Sequence, residues 1–109
     1  MPLTYEVTTA GSAVDVRFAG ELDFAVVPDV LDRLTAVVLG DPRPDRVVVD
    51  LSELSFLDST GIHALVTARR IAAQHGVTMN LVNPRGMVRR ALEITGVIQH
   101  LTDPPAMPA

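Results

Sequence analysis

The chain has 109 residues, of which 48% are hydrophobic and 20% charged, and its formal net charge is −4. That length buries about two-thirds of the unfolded surface in one core, and the composition is that of a globular domain rather than of a disordered segment. The negative balance argues against nucleic acid as a partner, and the absence of Cys excludes disulfides, thiol catalysis and thiolate metal sites.

No apolar run reaches the ~20 residues of a membrane span, and the start, MPLTYEV, has no basic region followed by an apolar one. The expectation is a cytoplasmic protein with no membrane partner. Every basic residue except the histidines is Arg, which reads as genome composition. Arg85, Arg89 and Arg90 nevertheless form a local group able to meet an acidic surface.

Leu3, Tyr5 and Val7 alternate with polar residues, as do Val14, Val16 and Phe18, with Ala10-Gly11-Ser12 between them. This pattern predicts a hairpin of two half-buried strands. From Pro28 to Leu39 the period changes, with Val30, Leu31, Leu34, Val37 and Val38 on one face and Asp29, Asp32 and Arg33 opposite, which predicts a helix ended by Gly40. GDPRPD is a loop. RVVVDL, Arg46 to Leu51, is apolar on consecutive positions and predicts a central strand covered on both faces.

A second helix fits Ser59 to His75, with Ile62, Leu65, Val66 and Ala72 facing inward and Gly76 as its stop. VTMNLVN predicts a fourth strand, PRGMVRRALEITG a short helix ending at Gly96, and VIQHL a last edge strand. The Pro-rich residues 102–109 read as a frayed tail, leaving a core of about 3–101 in a single domain spanning 1–109. The order β-β-α-β-α-β-α, with a possible final β, is that of an α/β fold with a mixed, mostly parallel sheet.

Sites in such sheets form beyond the carboxyl ends of strands. Two segments qualify, GELD (Gly20 to Asp23) and DSTG (Asp58 to Gly61). If the second and third strands are parallel neighbours, Glu21, Asp23, Asp58, Ser59 and Thr60 share one end of the sheet. Asp, Ser and Thr all cap helices, but a cap needs one such residue, so three in a row leave at least one hydroxyl without a structural task. A hydroxyl at a helix N-terminus is also suited to carry phosphate, because the dipole and free N–H groups favour negative charge there.

Other chemistries fare less well. His63 lies on the face of Ser59, yet no GxSxG elbow surrounds the serine, His75 falls in the last turn of the second helix, where it favours the dipole, and His100 is near the frayed end. Glu21, Asp23 and Asp58 lack a DxDxDG loop and paired His ligands, so no metal is expected. GxxxxGK[ST] and GxGxxG are both missing, so no cofactor is expected and ATP for any phosphorylation must arrive on another protein.

GELDF, VVVDLSELSFLDSTGIHALV and NLVNPRGMVRRALEITGV together resemble a STAS domain, and specifically the bacterial anti-sigma factor antagonists. The resemblance covers roughly Leu3 to Leu101. It implies an α/β fold with its sheet packed against helices, no enzyme activity, and an anti-sigma factor partner that is itself a serine kinase and brings ATP. It also implies that the kinase phosphorylates Ser59, with Thr60 a secondary candidate, and that a phosphatase reverses this. Glu21, Asp23, Phe24, Asp58, Thr60, Gly61, Ile62 and His63 are the implied docking residues. The chain departs from the family at Phe24, where many relatives have a polar residue, and at His63, where a small one is common. Two other readings stay open: a soluble STAS subunit of a transporter or lipid-trafficking complex, and a STAS regulator with targets other than sigma regulators.

Overall fold

A computed structural model describes residues 2–94, and within them the alternation and periodicity of the sequence become four strands and three helices. The order is β1 (Thr4–Ala10), β2 (Ala13–Leu22), α1 (Val27–Val38), β3 (Arg46–Leu57), α2 (Ser59–Gln74), β4 (Thr78–Val82) and α3 (Gly86–Ile94). The sheet runs β1-β2-β3-β4, with β1 antiparallel to β2 and the other pairs parallel. Gly11, at φ 63°, lets a two-residue turn join Ala10 to its partner Ala13.

One core gathers the inward residues of every layer. Val16, Phe18 and Leu22 come from β2, Val47, Val49 and Leu51 from β3, and Met79 and Leu81 from β4. Val30, Leu34 and Val38 recur at four-residue spacing on α1, while α2 contributes Leu65, Ala68 and Ala72, and α3 contributes Val88 and Leu92. At the sheet edge the Tyr5 hydroxyl donates to Asp29 at 2.5 Å, and the Arg33 guanidinium stacks 4.3 Å from the Tyr5 ring centroid. This ties β1 to α1.

Three details differ from the sequence expectation. β3 continues well past Leu51 to Leu57, because β2 keeps pairing with it as far as Leu22 through two register shifts, between Arg17 and Ala19 and between Gly20 and Glu21. β3 is not covered on both faces: Val47, Val49 and Leu51 are buried, but Val48 and Asp50 are only half-buried. On that outer face the Arg17 guanidinium lies 3.7 Å from the Asp50 carboxylate. On α2, Val66 is half-buried, whereas Ala64 and Ala68 are fully inside. Small side chains let the helix sit close to the sheet. The predicted VIQHL strand, the helix end at Gly96 and the tail lie outside the described residues.

The long pairing of β2 with β3 positions the site. Glu21 aligns with Phe56 and Leu22 with Leu57, so both strands finish at the same level. The Ser55 hydroxyl donates to the Gly20 carbonyl at 3.0 Å inside the bulged region. Gly20 itself has φ 106°, and a Cβ there would stand 2.5 Å from the Pro2 carbonyl oxygen. GELD and DSTG therefore leave the sheet side by side.

Candidate functional site

Asp58 is the cap of α2. Its backbone is extended, and its Oδ1 accepts from the Gly61 N–H at 2.9 Å and from the Thr60 hydroxyl at 2.6 Å. The backbone N–H of Phe24, from the other segment, faces this carboxylate and helps to lower its pKa. The Asp58 N–H in turn points at the Leu22 carbonyl at 3.5 Å. Partial burial pushes the Asp58 carboxyl up, but these hydrogen bonds together outweigh it and hold its pKa below the usual carboxylate value.

Ser59 is the first residue of α2 and is exposed. With Asp58 satisfied by its neighbours and Thr60 committed to Asp58, the Ser59 hydroxyl has no side-chain hydrogen bond among the described residues. It stands at a helix N-terminus where added negative charge is favoured by the dipole. A phosphoryl group there would displace no existing side-chain bond.

The loop after β2 forms the other rim. The Asp23 carboxylate accepts from the Ala25 N–H at 3.1 Å, and the Asp23 carbonyl accepts from Val26 N–H at 3.1 Å, so the loop turns tightly before α1. That turn leaves the Phe24 ring 72% exposed.

The structure brings Glu21, Asp23, Phe24, Asp58, Ser59 and Thr60 to one end of the sheet, as the parallel arrangement required. His63 is exposed one turn further along α2. Gly61 and Ile62 are placed differently from their neighbours. Ile62 is 8% exposed and belongs to the core, and Gly61 is buried with a hypothetical Cβ 2.7 Å from Leu22 Cδ2 and 2.8 Å from Leu57 Cδ1. Both are largely withdrawn from the surface, and Gly61 lets the first turn of α2 rest on the ends of β2 and β3. Leu22 and Leu57, which shape that seat, were not singled out from the sequence, although Leu22 continues the alternation of Val16 and Phe18.

Comparison with known proteins gives the family. The profile of the STAS domain family matches residues 4–105. The anti-sigma-B factor antagonist of Staphylococcus aureus (strain NCTC 8325 / PS 47) is 30% identical over 97 residues, covering 89% of this chain and 88% of that protein. An anti-sigma factor antagonist from Mycobacterium paratuberculosis superposes with a TM-score of 0.76 at 25% identity, covering 94% of this chain and 84% of the other. The antagonist SpoIIAA in its unphosphorylated form gives 0.75 at 22% identity, with 91% and 85% covered. Bacillus SpoIIAA in its phosphorylated form gives 0.69 at 19% identity, with 91% and 88% covered. By sequence profile, by identity along nearly its whole length and by the layout of sheet and helices, this chain belongs to the STAS domain family of anti-sigma factor antagonists.

Proposed function

We propose that the chain is a cytoplasmic anti-sigma factor antagonist: it binds an anti-sigma factor, frees the sigma factor held there, and is switched off when Ser59 is phosphorylated. The partner is a serine kinase that supplies the ATP, and a phosphatase restores the active form. The chain acts by binding and is not itself an enzyme. The observation that carries the reading is the division of roles at the start of α2, where Asp58 and Thr60 are bonded to each other and to the backbone while Ser59 between them is exposed and unengaged.

Phosphate adds about −1.5 to −2 charge at pH 7. With Glu21, Asp23 and Asp58 converging on the same end of the sheet, the added charge sits among carboxylates and opposes an acidic partner surface. The fold does not depend on the Ser59 hydroxyl, so the interface can fail while the domain stays folded. Incubation with the ATP-dependent anti-sigma kinases of its own genome, followed by mass spectrometry, is expected to find phosphate on Ser59. By calorimetry, Ser59→Ala should bind its kinase as wild type does and resist inactivation, and Ser59→Asp should bind weakly. Equal affinity of wild type and Ser59→Asp would sink the mechanism, and no transfer from any kinase would favour a STAS subunit of another complex.

A further inference from the structure

The two segments that meet at Ser59 are unbalanced in charge. Gly20 to Phe24 and Asp58 to Val66 hold Glu21, Asp23 and Asp58 but only one basic side chain, His63. Residues four apart on a helix are surface neighbours, with Cβ atoms about 5–6 Å apart. Ser59 and His63 stand in that relation on α2, and both are exposed.

The surrounding groups leave His63 to this role. Asp58 is taken up by Thr60 and by backbone N–H groups. α1 and β4 pack against α2. β4 carries no charged residue, and the charges of α1 are Asp29, Asp32 and Arg33, of which Asp29 and Arg33 are engaged with each other and with Tyr5. The next basic residues of α2, Arg69 and Arg70, lie nearly two turns beyond His63, and Arg69 donates to the Met79 carbonyl at 3.1 Å. The other histidine near this helix, His75, sits at its far end with Nδ1 2.9 Å from the Ile71 carbonyl.

We propose that His63 is the counter-ion of phosphorylated Ser59: its imidazolium donates to a phosphate oxygen and holds the group along α2, away from the carboxylates of the GELD segment. The proposal rests on Ser59 being the modified residue. Its consequence is that a positive charge beside Ser59 offsets part of the charge that phosphate adds.

The test installs phosphoserine at position 59 of the full chain by genetic encoding, so that no kinase is involved, and follows the phosphate by phosphorus NMR as pH is varied. A neighbouring cation favours the dianion. The second ionisation of the phosphate is therefore expected about 0.2–0.4 pH unit lower in the protein with His63 than in His63→Ala. His63→Arg should keep the lowered midpoint, and His75→Ala should leave it unchanged. Indistinguishable midpoints with and without His63 overturn the pairing. Failure of every kinase to modify Ser59 would instead remove the proposed function, and the two results cannot be confused.

Discussion

The Thr60 hydroxyl donates to the Asp58 carboxylate at 2.6 Å, and this bond spans the one residue of the first turn whose side chain is unengaged. Three adjacent oxygen-bearing side chains thus divide into a cap, a brace for the cap, and an exposed hydroxyl. The brace also orients the carboxylate toward the Gly61 N–H at 2.9 Å.

Removal of the cap should destabilise the domain more than removal of the hydroxyl beside it. Asp58→Ala is expected to cost about 1 kcal/mol, because it strips a partner from helix N–H groups. It also frees the Phe24 N–H and loosens the GELD loop. Ser59→Ala should change stability by less than about 0.5 kcal/mol, as for exposed substitutions away from special features. Urea unfolding of the two variants checks the order, and a Ser59→Ala loss as large as that of Asp58→Ala would contradict it.

Acid should weaken the fold through two carboxylates. At Asp58 burial pushes the pKa up, and the hydrogen bonds from Thr60 and Gly61 together with the facing Phe24 N–H pull it below the ordinary value. At Asp50 burial also acts upward and is outweighed by hydrogen bonds from Ser52 and Asn83 and by Arg17. A depressed native pKa means stability that is complete above the unfolded value of about 3.9 and is lost as pH falls through the native one. The urea midpoint should therefore hold steady from neutral pH down to about 5 and drop below about 4. In an Asp50→Asn, Asp58→Asn double variant that drop should be shallower.

Gly61→Ala tests the seat of α2. The added methyl meets Leu22 Cδ2 at 2.7 Å, the Leu22 carbonyl oxygen at 2.8 Å and Leu57 Cδ1 at 2.8 Å, and one of the three is backbone. Overpacking of this kind costs about 1–3 kcal/mol. Because relief requires lifting the helix start, partner affinity should fall along with thermal stability. A variant that keeps both would show that the seat gives way without cost.

Phe24→Ala separates interface from fold. The ring is 72% exposed and contributes little to the core, so thermal unfolding should stay near the wild-type temperature. As an outward aromatic at the proposed docking end, its loss should weaken kinase binding by roughly tenfold or more, the cost of truncating an interface anchor. Calorimetry against the cognate kinase gives the answer, and unchanged affinity places the docking face elsewhere.

Much of this architecture was legible in local patterns. The change from alternation to four-residue spacing marked α1, the β-branched run RVVVDL marked the start of β3, and Asp58 before a helical pattern marked the start of α2. Each of those signals comes from residues close in the chain, and short-range sterics and amphipathicity are enough to set them. The second half of β3 carried a weaker signal: SELSFL mixes polar residues with the apolar, strand-like Leu54, Phe56 and Leu57, and its pairing is fixed by β2 through bulges and by the Ser55 bond to the Gly20 carbonyl. Likewise, which of Asp58, Ser59 and Thr60 caps the helix depends on hydrogen-bond geometry that composition does not encode. Gly61 looks like a surface residue of a motif until Leu22 and Leu57 arrive from the ends of two strands and bury it, whereas the helical spacing already turned Ile62 inward. Local pattern settled the order of elements and the chemistry on offer. Long-range packing decided which of those groups face water, because burial is a property of what the distant chain brings alongside.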